Sequence, residues 1–164
     1  MSLCRCSPKV VPVQEEPRKI HLARPGAPPT SAVIEEVPAE SDKGFAEITW
    51  PMLRGLDVRT GQPSPLLELV AGTDIKLAGY MVPFDDGFEE VSEFLLVPTA
   101  GACVHTPAPP ANQIVYTTMV SGHPAKVELS YSVWVLGRLE IMTSESPYGP
   151  AGFRLGAVSL RRRG

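Results

Sequence analysis

The sequence predicts an all-β domain, and three observations carry that prediction. After about residue 70 the chain shows little helical periodicity and runs instead through five or six short strand-like stretches divided by turn residues. Two of the longer stretches carry an internal glycine, Gly79 and Gly137, which suits the corners of a small closed sheet. The folded part is also short, and full closure removes exposed strand edges most economically at that size. The expected architecture is therefore a small OB-like closed barrel of five or six strands, with a β-sandwich as the alternative.

The chain has 164 residues, with 18 prolines and 14 glycines. Seven of the prolines fall between Ser2 and Asp42, among Glu15, Glu16, Glu35, Glu36 and Glu40, and no aromatic residue precedes Phe45. Such a stretch buries too little apolar area to offset its ordering entropy, so residues 1–44 are expected to be a disordered tail or tether. The single β-barrel domain is expected over 45–164.

Thr49-Trp50-Pro51-Met52-Leu53-Arg54-Gly55 reads as a short helix, with Thr49 as N-cap, a proline in the first turn and Gly55 as the stop. Leu66–Val70 suits either a short strand or a helical turn. Asp74–Val82 alternates polar and apolar residues, as a half-buried strand does. Pro83–Glu90 is an acidic turn, and Glu93–Pro98 a continuous apolar run of buried-strand length. Gln113–Val120 is rich in β-branched residues, and Ser121-Gly122-His123-Pro124 turns the chain. Ser130–Ile141 is the strongest strand, Ser144–Pro150 is expected to be a loop, and Gly152–Leu160 is a last strand.

The segment with the most chemistry is Gly101-Ala-Cys103-Val-His105-Thr-Pro107-Ala-Pro109-Pro110-Ala-Asn112-Gln113. It places a thiol and an imidazole two residues apart and follows them with a stiff arm, because proline fixes φ and favours an extended, polyproline-like path. A thiolate and a neutral imidazole are ligands for zinc or copper. Two ligands are too few, and His123, Asp85, Asp86 and Glu89 are candidates for the rest. The metal assignment is Cys103, His105 and His123. Pro107, Pro109, Pro110, Asn112 and Gln113 are assigned as a surface for a partner protein, since a pre-extended segment is readily gripped. A Cys-dependent enzyme is an alternative, with His105 lowering the Cys103 pKa, although no third orienting group is evident. The plain structural alternative makes Cys103 a small buried hydrophobe and His105 a turn-shaping residue.

Net charge is −3, which gives no general electrostatic footprint for nucleic acid. An OB-fold module for oligonucleotides or oligosaccharides is therefore the rival reading; for nucleic acid it needs a basic groove with exposed aromatic residues. Arg161–Arg163 reads as a solvated terminus. No run of 18 apolar residues exists, so no transmembrane segment is expected. Met1-Ser-Leu runs directly into Cys4-Arg-Cys6 with no apolar leader core. Cys4 and Cys6 are incidental, or one of them carries a lipid anchor behind a proline-rich spacer.

Leu77-Ala-Gly79-Tyr80-Met-Val82-Pro83, Glu93–Pro98 and the Gly101–Gln113 motif, in this order and spacing, resemble an uncharacterised bacterial family. Val133-Trp134-Val135-Leu136-Gly137 looks like its closing strand. The family is a domain of unknown function in secreted or lipid-anchored envelope proteins of Gram-negative bacteria. Coverage runs from about Trp50 to the C-terminus, and Thr106-Pro107-Ala108 departs from the family's unbroken proline run. The resemblance implies a non-enzymatic periplasmic accessory or binding domain, partnered by an envelope ABC-type transporter or tied to metal handling. It carries over no catalytic role.

The metal reading makes a direct prediction. Protein purified without chelator contains near-stoichiometric zinc or copper, and Cys103→Ala and His105→Ala each weaken binding about tenfold or more, a loss of about 1.4 kcal/mol. Wild-type affinity in both variants removes the reading.

Overall fold

Alternation along one ten-residue strand sets the architecture of the domain, which is described from a computed structural model covering residues 42–84, 87–101 and 108–164. In β2 (Asp74–Pro83), Ile75, Leu77, Gly79, Met81 and Pro83 are buried, while Lys76, Ala78, Tyr80 and Val82 face outward. Around it come β1 (Ala46–Ile48), α1 (Trp50–Leu53), α2 (Pro65–Val70), β3 (Glu90–Val91), β4 (Glu93–Val97), β5 (Val115–Met119), β6 (Ala125–Lys126), β7 (Val133–Ser146) and β8 (Gly149–Arg162). The fold is all-β, as expected. Among the described residues no helix is long and apolar enough to cross a membrane.

The main sheet closes on itself. β2 pairs antiparallel with β4, β4 with β5, β5 runs parallel to β8, β8 is antiparallel to β7, and β7 returns to β2. β7 thus lies beside β2 after three consecutive antiparallel strands, a Greek-key order. β1 adds to the outside of the ring, parallel to β2, and β3 and β6 form a separate two-stranded pair. One continuous sheet replaces the two facing sheets that a sandwich would need.

β2 serves two partners in succession: Asp74–Gly79 lie against β7, and Tyr80–Pro83 against β4. Gly79 stands at the handover, where a Cβ would meet Leu96 Cγ at 2.7 Å and the Val97 carbonyl oxygen at 2.9 Å. Gly137 stands at the register shift between β7 and β8, where Val158 is the extra residue. The interior is filled by Ile75, Leu77, Phe94, Leu96, Val115, Val135, Leu139, Phe153 and Leu155, with Ile48, Leu53, Leu56 and Leu67 packed against them. The apolar run of β4 is buried on both faces: Leu95 points outward into a second cluster with Ile114 and Ala151.

Two segments depart from the sequence reading or resolve it. Leu66–Val70, left open between strand and helical turn, is helical because Pro65 pre-sets the first turn and the Ser64 hydroxyl accepts from the Leu67 N–H at 3.4 Å. Ser144–Pro150, expected to be a loop, is the tip of a long hairpin: Ser144–Ser146 belong to β7 and Gly149–Pro150 to β8. The Ser146 hydroxyl donates to the Gly149 carbonyl at 2.6 Å and accepts from the Tyr148 N–H at 3.2 Å. Side-chain bonds of this kind let a turn form at Pro147-Tyr148 without a longer loop.

The close approach at Gly137 yields a paired prediction. A methyl group there collides with the Gly156 carbonyl and sits 2.8 Å from Ala157 Cα, both backbone atoms of β8. Gly137→Ala should cost about 2–4 kcal/mol in urea unfolding. Gly156→Ala, whose Cβ meets only Val120 Cγ1 at 3.5 Å, should stay within about 1 kcal/mol of wild type. Equal losses would remove the packing explanation.

Candidate functional site

Cys103, His105 and Pro107 lie outside the described residues, as do Asp85 and Asp86. The zinc or copper expectation therefore rests on sequence alone. His123 is exposed on the Ser121–Pro124 turn, and no group of three or more His, Cys, Asp or Glu converges among the described residues. Pro110 is extended, at φ −64° and ψ 153°, in line with a stiff arm. Asn112 faces inward: its side-chain amide donates to the Leu56 carbonyl at 2.9 Å and the Arg54 carbonyl at 3.4 Å. It ties the short 3-10 helix Ala111–Gln113 to the end of α1. Gln113 is half-buried in that helix and Pro109 is half-buried just before it.

A different place on the ring has the shape of a site. On the outer edge of β2, β1 stops opposite Leu77 and β4 ends with Val97 opposite Tyr80, which leaves Ala78 and Gly79 without a strand on that side. Trp50, the first residue of α1, spans part of this gap by donating its indole N–H to the Ala78 carbonyl at 2.7 Å. On the other side Ala78 is paired with Trp134 of β7, which is paired in turn with Arg161 of β8. A small side chain between two large ones leaves a groove of about 300 Å³. Its walls are Trp50 and Pro51, Tyr80, Pro98, Ser132 and Trp134, with Glu47, Thr49 and Arg163 also lining it.

Charges surround the Trp134 ring. Lys76 Nζ lies 5.0 Å from its centroid and the Arg163 guanidinium 5.1 Å. Arg162 stacks on Tyr131 at 3.1 Å. Asp42 receives hydrogen bonds from both Lys76, at 3.4 Å, and Arg161, and Glu47 pairs with Lys76 at 3.1 Å. The Glu47 hydrogen bond, with a smaller contribution from Asp42, holds the Lys76 ammonium above its ordinary pKa. Backbone bonding of the Arg163 N–H to the Ser132 carbonyl at 2.9 Å seats Arg163 beside the groove.

Sequence reasoning placed Trp50 in a short helix and Tyr80 in a half-buried strand, and read Arg161–Arg163 as a solvated end. The available signal was the outward phase of Lys76, Ala78 and Tyr80 in β2 and of Trp134 in β7. What the sequence does not carry is the register that sets Ala78 against Trp134.

Comparison with known proteins agrees with the sequence resemblance. No curated protein matches the chain. A crystal structure of a DUF3299 family protein from Pseudomonas aeruginosa PAO1 is similar to it, with 30% identity, a TM-score of 0.57, and coverage of 73% of this chain and 97% of that one. The family model described as "Protein of unknown function (DUF3299)" matches residues 57–162, most of the described domain. The chain belongs to the DUF3299 family of proteins of unknown function.

Proposed function

We propose that this is a non-enzymatic ligand-binding domain whose ligand sits in the groove between Trp50 and Trp134. The observation that carries the reading is a concavity of about 300 Å³ walled by aromatic and proline rings over the small residues Ala78 and Gly79. Binding sites are characteristically concave and mostly apolar, with a few placed polar groups, and 300 Å³ is at the small end of their range. Flat rings, hydroxyls and a guanidinium are groups that hold a ligand.

The finer fold assignment belongs to the same proposal. A five-stranded Greek-key ring suits an OB-like closed barrel. In that arrangement β4 and β5 offer the face that OB folds commonly use for oligonucleotides or oligosaccharides. Here that outer face is packed: Leu95 and Ile114 are buried, and Phe84 contacts Tyr116 and Tyr148 at 5.4 and 6.3 Å. The packing favours the β2–β7 groove over the usual face. A role as accessory to an envelope transport or metal-handling system is also proposed, and rests on the family resemblance.

Both tryptophans of the chain, Trp50 and Trp134, line the groove, so tryptophan emission excited at the red edge, where tyrosine does not absorb, reports on it. Phenylacetamide, a neutral flat-ring probe, is expected to shift that emission saturably in the wild type. Ala78→Leu, which fills the floor from the outer face, should abolish the shift while leaving the unfolding midpoint nearly unchanged. A response that persists unaltered in Ala78→Leu places the ligand elsewhere and ends the proposal.

A further inference from the structure

Resting on the groove reading above, we infer that the groove selects an anion: a small carboxylic acid bearing a flat ring, its carboxylate held by Arg163. The argument is one of charge complementarity. Five charged side chains gather at or beside the groove: Asp42, Glu47, Lys76, Arg161 and Arg163. Asp42 is shared between Lys76 and Arg161, and Glu47 is committed to Lys76 at 3.1 Å. The two carboxylates are thereby matched to the lysine and one arginine. Arg163 is left with no carboxylate partner among the described residues, on the rim of a groove whose other charged lining residue is the Lys76-paired Glu47.

Its placement suits the task. The guanidinium lies over the Trp134 ring, 5.1 Å from its centroid, and a cation–ring attraction of this kind needs none of its N–H groups as hydrogen-bond donors. Those donors match a carboxylate in a planar, two-point geometry that an ammonium does not reproduce. Because the backbone of Arg163 is tied to Ser132, part of the ordering is already done before a ligand arrives. The same ligand would lay its ring against Trp50, Tyr80 or Trp134. An exposed Glu47 does not oppose this, since its charge is answered by Lys76.

Phenylacetate and phenylacetamide share ring and shape, the amide exchanging one charged carboxylate oxygen for a neutral NH2, and serve as matched probes of the full-length protein, read by tryptophan emission at low and high salt. Wild type should bind phenylacetate about tenfold more tightly than the amide, a difference of about 1.4 kcal/mol. That preference should shrink with added salt, as an exposed ionic contact does. In Arg163→Gln the preference should vanish while amide binding persists, and Arg163→Lys should restore part of it. Equal binding of both probes by the wild type overturns the anion inference and leaves the groove reading standing. A preference that survives in Arg163→Gln overturns the assignment to Arg163. Binding of neither probe overturns both readings.

Discussion

One strand has to serve two neighbours for this ring to close. The first six residues of β2 lie on β7 and the last four on β4, so the sheet turns its corner within a single strand at Gly79. β4 approaches so closely there that a Cβ would press on Leu96 and on the Val97 carbonyl. Strands that change partners must coil sharply, and a residue without a side chain is what such a corner requires. The same handover leaves the outer edge of β2 bare between its pairing with the end of β1 and its pairing with the end of β4. Ring closure and the groove are thus two consequences of one backbone event. Trp50 takes up the carbonyl that the missing strand leaves unpaired, which satisfies Ala78 and builds a wall in the same contact.

The charges on this face act more on position than on stability. Lys76, Glu47, Asp42 and Arg161 form a chain of ion pairs, each partly open to solvent, and pairs of that kind contribute little to stability. Their effect is to bind the stretch before β1 to β2 and β8 and to hold cations around the Trp134 ring. A tryptophan on the outside of a sheet would otherwise present a bare apolar face. With Lys76 and Arg163 both within about 5 Å of its centroid, the ring is retained outside the core without that exposure.

The all-β class was legible because burial follows periodicity: alternation in β2 and the apolar run in β4 each appear in the structure with the expected phase. Gly79 and Gly137 marked the two corners for a physical reason, close backbone approach. Ser144–Pro150 misled because Ser, Pro and Gly signal a turn without setting its length, and the Ser146 hydroxyl closes a short one. The two-residue strands β3 and β6 are too short to show any period. The groove was illegible for a deeper reason. Its residues come from β1, α1, β2, the end of β4, β7 and the C-terminal end of the chain, and only pairing register brings Ala78 opposite Trp134. Asn112 stood out as a candidate for a partner surface, and what the sequence did not show is that its amide nitrogen donates to the carbonyls of Arg54 and Leu56.

Where a ligand can sit on such a domain follows from what is already filled. A ring of five strands has no room inside for anything but side chains, and Phe94, Phe153, Leu96 and Leu155 occupy that space without exposure. Any site must lie on the outer surface. Over β4 and β5 that surface is closed by its own apolar cluster, in which the Tyr116 hydroxyl is also engaged by Glu93 at 3.0 Å. Burial of Tyr116, with the Glu93 hydrogen bond, raises its pKa. The seam between β2 and β7 is different in kind, because the residue between its two large neighbours is alanine. Volume is created there by omission, and the side chains around it supply rings and, among the described residues, a guanidinium with no carboxylate partner. A groove made that way is lost to a single larger residue at position 78, whereas the ring beneath it is not.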